Sequence, residues 1–304
     1  MKNSKAAVDV ITSILIVMIA LGLTATAYTW GLPLIQKQQD TAVVGRVASY
    51  FDQNNQNSLP SSIEFIANNG GEQTFSMDAT GIWTLNNCPP GDLPSCNPTA
   101  LSNPSSTPCG RAGDVDSDGS VTSTDATLAS QIAGGASGFS SAQKENADVD
   151  GDGLVKTNDA TLITRYVNRE ITSFPTCNSL QFSFFSKVSN IATKDETGKP
   201  IGYISLTPGA KCPPEEGILG KDKSSAVCAK AEPFQDGYQI TYKIWFRELS
   251  ETIASRGFKI DLTKHQAGFH TSDGKTIKIS RQANNQASVG GKTLIIPEMK
   301  ILLE

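Results

Sequence analysis

Two copies of one acidic loop, 34 residues apart, constrain this 304-residue chain more than any other feature. The first reads Asp114-Val-Asp116-Ser-Asp118-Gly119-Ser120-Val-Thr122-Ser123-Thr124-Asp125. The second reads Asp148-Val-Asp150-Gly-Asp152-Gly153-Leu154-Val-Lys156-Thr157-Asn158-Asp159. Carboxylates at loop positions 1, 3, 5 and 12, with a glycine at 6 for the sharp turn, are what a hard cation needs, since Ca2+ takes about six to eight oxygen ligands. Position 7 (Ser120, Leu154) gives a backbone carbonyl, so its side chain is unconstrained and leucine is tolerated there. The expected ligands are Asp114, Asp116, Asp118, Ser120, Thr122 and Asp125 in the first loop. In the second they are Asp148, Asp150, Asp152, Leu154 and Asp159. Lys156 stands at position 9, which often supplies a ligand or a bridging water, so two Ca2+ ions are expected with the second held more weakly. Ten identities over the 21 residues from each loop start argue against two unrelated surface turns.

Each loop runs into the same helical start, Asp-Ala-Thr-Leu at 125–128 and 159–162, and Gly134-Gly135 ends the first helix. Val121 and Val155 at position 8 suit a short strand pairing the loops back to back. Before loop 1 stands Pro104-Ser-Ser-Thr-Pro-Cys-Gly, which excludes an incoming helix. Ser140-Ser-Ala-Gln143 has the form of a capping box opening a short connecting helix.

Tandem calcium loops with exit helices only resemble the type I dockerin family, over residues 109–175. The resemblance implies a small all-α calcium-binding fold that docks a cohesin module on a partner protein. In that family loop positions 10 and 11 and the following helix face touch the partner. Here these are Ser123 and Thr124 in one copy, Thr157 and Asn158 in the other, with Ser130-Gln131 on the first helix corresponding to Thr164-Arg165 on the second. Duplication implies two docking faces related by an approximate two-fold axis, and the differing residues make them unequal. A calcium-stiffened spacer without a cohesin partner is the structural alternative.

From Cys109 to Cys177 there are ten carboxylates and five Lys/Arg, a net of −5, while the whole chain is −4. The acidity is therefore a local ligand cluster, and nothing in the charge pattern points to nucleic acid. Catalysis has little support. His265 and His270 stand in a β-rich region with no second motif, and Gly134-Gly-Ala-Ser-Gly138 lacks nucleophile-elbow spacing. The paired aspartates are already assigned to calcium, so no enzyme is expected.

No charge occurs from Val10 to Gln36. As a helix, the apolar run to Ile35 would be about 39 Å long, more than the roughly 30 Å hydrocarbon core of a bilayer. Lys2 and Lys5 precede it, which places the N-terminus in the cytoplasm and the rest outside, at the cell surface. Three readings stand. Ala25-Thr26-Ala27 fits a signal peptidase site, although the apolar run continues beyond it. A plain membrane anchor is the second. The third rests on Lys5-Ala6-Ala7-Val8-Asp9-Val10-Ile11-Thr12-Ser13-Ile14-Leu15, which resembles the N-terminus of archaeal type IV pilin-like and archaellin-like proteins. That resemblance implies cleavage between Ala6 and Ala7, and packing of the helix against other pilin-like subunits or in the membrane. Asp9, then third in the mature chain, would need a partner when buried, such as a neighbouring subunit's amino terminus. The family's usual glycine before the cut is replaced by Ala6. Beyond Pro33, where a kink is expected, Val43, Val44, Val47, Tyr50 and Phe51 recur at helical spacing and suit an amphipathic extension of the helix packed on a head.

The remainder reads as β-rich. Strands are expected at Ile63–Ile66, Thr74–Met77, Ile82–Leu85, Gln181–Phe185, Ile201–Leu206, Tyr238–Phe246, Phe258–Leu262, Thr276–Ile279, and Thr293–Ile296 or Met299–Leu303. The calcium module thus interrupts a β domain. All six cysteines lie beyond the apolar run, and an even count in an exported chain suggests disulfides. Of fifteen connectivities, Cys88–Cys96, Cys109–Cys177 and Cys212–Cys228 are favoured, the second clasping the two ends of the module together. The expected class is α+β multidomain: leader 1–6, helix 7–55, first part of the head with linker 56–108, calcium module 109–177, second part of the head 178–304. Two functions follow. One is a pilin-like surface protein presenting the module for adhesion or assembly. The other is a membrane-held adaptor that docks cohesin-bearing partners, with polysaccharide breakdown as its setting.

Overall fold

A computed structural model describes residues 3–87, 112–151, 154–171, 174, 178–194, 196, 198, 201–251, 255–265, 271–289 and 291–303. An uncharged apolar run satisfies its backbone most simply as a helix, and α1 spans Asn3–Phe51 as one continuous element through Pro33. It has two characters. Large side chains from Ile14 to Ile35 project outward, with Trp30 80% exposed. Val44, Val47 and Phe51, one to two turns apart, are buried in the head. The amphipathic extension is therefore present.

The chain then forms α2 (Leu59–Asn69), β1 (Glu72–Ser76), β2 (Ile82–Asn87), α3 (Ser123–Ala133), α4 (Ser141–Ala147) and α5 (Thr157–Val167). After these come β3 (Asn178–Ser186), β4 (Ile204–Ser205), β5 (Gly217–Ile218), β6 (Ser225–Phe234), β7 (Gly237–Phe246), β8 (Leu249–Ser250) and β9 (Arg256–Phe258). The last are β10 (Asp261–Lys264), β11 (Thr271–Ser272), β12 (Thr276–Val289) and β13 (Lys292–Leu303). One sheet runs β1-β12-β13-β9-β8-β5, with β10 also on β13; the other runs β11-β2-β3-β7-β6-β4. Both contribute to one core with the end of α1 and with α2, and Phe51 stacks on Tyr242 at 4.8 Å between ring centres.

Residues 63–66 are helical, not a strand. Leu59, Ile63, Ile66 and Ala67 are buried at helical spacing, Pro60 stands in the first turn, and Ser58 Oγ caps by accepting from Ser61 N–H at 3.4 Å. The Ile-x-Phe-Ile run looked alternating over four residues, too short a window to separate the two periods. The expected Ile201–Leu206 strand shrinks to β4, and Phe258–Leu262 divides between β9 and β10. The two alternatives near the C-terminus are one strand, β13, which pairs with β12 along its whole length past a bulge at Arg281–Ala283. β6 escaped the pattern because the residues on its core face are small, Val227, Ala229 and Ala231, and Ala226 and Cys228 on the opposite face are buried too, so no alternation shows.

What positions the calcium module is the pairing of β2 with β3, in which Asn87 faces Asn178. The loops and α3–α5 fall between these neighbouring strands. Cys212 and Cys228 form a disulfide with a Cα–Cα distance of 6.1 Å. Cys88, Cys96, Cys109 and Cys177 lie outside the described residues.

Phe51 joins α1 to the head, so Phe51→Ala should destabilise the head by about 3–5 kcal/mol, the usual range for a buried aromatic truncated to alanine. Urea denaturation followed by tryptophan fluorescence measures this. A midpoint unchanged from the parent would show that α1 is not part of the cooperative core.

Candidate metal centre

Each loop is built around the position-12 aspartate. Asp125 Oδ1 accepts from Val115 N–H at 2.7 Å and Asp116 N–H at 3.2 Å, while Oδ2 accepts from Thr122 N–H at 2.8 Å. Asp159 repeats this: Oδ1 accepts from Asp150 N–H at 3.1 Å and Oδ2 from Lys156 N–H at 2.8 Å. Both carboxylates sit in the first turn of their helix, where negative charge is favoured. They tie the loop's start to its end.

The turn itself needs left-handed backbone at position 4 as well as 6. Ser117 has φ 63° and Gly151 φ 73°, and Gly119 has φ 100°. Only Gly151 hinted at this in the sequence, because Ser117 occupies the same conformation with a Cβ. Gly119 N–H donates to Asp114 Oδ2 at 3.0 Å, and Gly151 N–H to Asp148 Oδ1 at 2.8 Å. The two loops are joined by Asn146, whose Nδ2 donates to the Asp114 carbonyl at 2.7 Å and whose carbonyl accepts from Gly113 N–H at 2.7 Å. Sequence reasoning missed Asn146, which lies outside both loops.

Three carboxylates converge in each half. Asp114, Asp116 and Asp118 bring one oxygen apiece within 4.8 Å of one another, as do Asp148, Asp150 and Asp159. Burial raises the Asp114 carboxyl above the ordinary range; the Gly119 N–H opposes this, and the neighbouring Asp125 and Asp116 add to it. Burial likewise raises Asp159 to about 7, with Asp150 and then Asp148 adding repulsion. Mutually repelling carboxylates, buried in the second group and built on buried Asp114 in the first, fit a hard divalent cation, which would relieve both costs.

The other expected ligands divide. Thr122 is the N-cap of α3; its Oγ1 accepts from Thr124 N–H at 3.2 Å and lies 3.1 Å from Asp125 Oδ2. That role explains a threonine at position 9 without a metal bond. The Leu154 side chain is exposed, as a carbonyl donor's would be, and so is that of Ser120. Asp152 lies outside the described residues. No strand joins Val121 to Val155 among the described residues; both pack instead on the module's own core of Val115, Val149, Ala129, Ile163 and Phe174. Valine is needed there for packing, and pairing in the connecting stretch gives way to the helix caps that follow.

Of the expected partner contacts, Ser123, Thr124, Thr157, Asn158 and Thr164 are exposed at the starts and along the outer faces of α3 and α5. Arg165 is half-buried and ion-paired with Glu216 of the head. Ala6 and Ala7 fall inside α1.

Residues 112–168 match the family model of the dockerin type I domain. The match takes in both acidic groups and α3, α4 and α5, and leaves the head and α1 outside it. Two solved structures from Acetivibrio cellulolyticus are similar to part of the chain. Both are complexes of the third cohesin ScaC with the ScaB dockerin displaying a type I interaction, mutated from IN to SI in the N-terminal helix in one and the C-terminal helix in the other. The first is 45% identical over 21% of this chain and 89% of its own, with a TM-score of 0.20. The second is 41% identical over 21% and 90%, with a TM-score of 0.20. No curated protein matches the chain. Dockerin type I domains bind calcium, and the two acidic groups are compatible with it.

Asp159 titrates near 7 in the folded, calcium-free site against 3.8 for an ordinary aspartate, so the calcium-free module should lose stability as pH rises through that window. Melting of the full chain in chelator should therefore occur at lower temperature at about pH 7.5 than at about pH 5. Added Ca2+ should reverse the order, because protons compete with it for the same oxygens. A chelated transition that is flat or rises with pH would contradict the buried-carboxylate account.

Proposed function

We propose that this chain is a non-enzymatic surface protein that presents a calcium-dependent docking module to a cohesin-bearing partner. The match of residues 112–168 to the dockerin type I domain carries this reading, because it coincides with the segment holding both acidic groups. The dockerins of the two similar structures are bound to cohesins, which is the interaction proposed here. A dockerin module suggests an extracellular or cell-surface place of action. α1 has the length and composition of a membrane-crossing helix from Thr12 onward, and we assign it the anchoring role. Two calcium ions are proposed, one per loop. Lys156 brings positive charge beside the second, which makes that site the weaker.

A second reading, a pilin-like subunit, is favoured by a specific feature of α1. One helix carries an exposed apolar half and continues without a break into the head's core, so it could pack against copies of itself and still hold the head rigidly. The two readings are compatible, since a filament subunit can also present an adaptor. Mass spectrometry of the mature N-terminus separates them from a secreted form. A chain beginning at Ala7 is expected for the pilin-like form, Met1 for a plain anchor, and Tyr28 for a cleaved signal.

The full chain in detergent should bind a type I cohesin domain with Ca2+ and release it when chelator is added. Asp114→Ala should weaken calcium uptake more than Asp148→Ala in calorimetric titration. Cohesin binding that is indifferent to chelator, or no calcium uptake at all, would sink the docking reading.

A further inference from the structure

The module's two helices do not stand in the same surroundings. On α3 the side chains of Ser123, Thr124, Ser130 and Gln131 are exposed, and no hydrogen bond or ion pair to them occurs among the described residues. Of the matching positions of α5, Thr157 and Thr164 are exposed, Asn158 is bonded within its own loop, and Arg165 reaches the head. Asn158 Nδ2 donates to Asp150 Oδ2 at 3.1 Å, and Arg165 pairs with Glu216 of the head and, at 3.5 Å, with Glu170. Asn158, Leu162 and Arg165 line one side of a cleft of about 440 Å³ whose other wall is the head segment Lys211–Glu216.

That wall is firmly held. The Cys212–Cys228 disulfide ties it to β6. Arg247 Nη1 donates to the Glu215 carbonyl at 3.4 Å, and Gly217 N–H to the Glu248 carbonyl at 3.0 Å, where β5 joins its sheet. Chain connection acts in the same direction. Only ten residues, 168–177, separate the end of α5 from β3, whereas 35 residues, 88–122, separate β2 from α3.

We propose that the head segment Lys211–Glu216 occupies the α5 face in cis, so that a partner docks on this module through the α3 face alone, in one orientation. The inference rests on the docking reading above for its partner, but the masking contact itself is intramolecular. A half-exposed ion pair contributes little on its own, so Arg165–Glu216 serves as the latch and the bulk of the head as the obstruction. Sequence duplication implies two docking modes of unequal strength; placement beside the head removes one.

Two measurements on the full, calcium-loaded chain in detergent test this. In the first, Arg165 is labelled with a dicarbonyl reagent and its rate compared with that of exposed Arg169 by mass spectrometry. Glu216→Gln should speed labelling of Arg165 at least about threefold and leave Arg169 unchanged. Equal Arg165 rates in parent and variant overturn the masking, whatever any partner does. In the second, the third ScaC cohesin is the probe, with matched substitutions on the two faces. Ser130→Arg should weaken binding at least about tenfold more than Thr164→Arg, and Glu216→Arg should shrink that difference by opening the α5 face. Equal losses from Ser130→Arg and Thr164→Arg in the parent overturn the single-orientation claim. Faster Arg165 labelling with no cohesin binding to parent or Glu216→Arg would uphold the cis contact and refute the docking reading instead.

Discussion

Asn87 opposite Asn178, at the ends of β2 and β3, is the constraint on which the rest of this structure depends. Ninety residues, 88–177, lie between these two, and closing a flexible loop of that length costs about 4 kcal/mol from its length term alone. The cost is offset on both sides of the junction. In the head, Asn178 is buried, its Nδ2 donating to the Ile260 carbonyl at 2.6 Å and its Oδ1 accepting from Leu262 N–H at 2.9 Å, which ties the two sheets together where the module returns. In the module, Gly113 lies against the Phe174 ring so closely that an added Cβ would sit 2.6 Å from it. A folded module thus brings its own ends together and shortens the loop that the head must close. A cation held between these carboxylates would relieve their repulsion and favour the fold that closes it.

α1 depends on the same head in a different way. Its outer half satisfies its backbone internally and exposes apolar side chains that water does not favour. Its inner half exists as part of the core, through Val44, Val47 and the stack of Phe51 on Tyr242. A helix fastened this way transmits its position to the head, and the head in turn sets where the module can reach.

Much of the local architecture was legible in residue order. The loops, the exit helices and the capping box at Ser140–Gln143 follow from side chains that act on backbone groups three to twelve positions away, and such interactions leave a pattern in the sequence. The longer strands were legible for the same reason, since Ile240, Tyr242, Ile244 and Phe246 alternate visibly. α2 was misread because four residues cannot separate a period of 2 from one of 3.6. β6 was missed because small residues fill its core face and both its faces are buried, which leaves no alternation to read. In the site, the Thr122 hydroxyl also caps α3, a role set by backbone geometry that composition does not record.

The sequence by itself determined that two oxygen-rich loops would form, that each would open a helix, and that an apolar helix would precede a β-rich head. All of these are local, set by neighbours along the chain. The residue differences between the copies were also legible there, and only the tertiary structure decided how their surroundings differ. The α5 face meets Glu216, 51 residues on from Arg165, because β3 begins only ten residues after α5 ends. Two duplicated segments acquire different surroundings when one is tethered closely to a large body and the other is not.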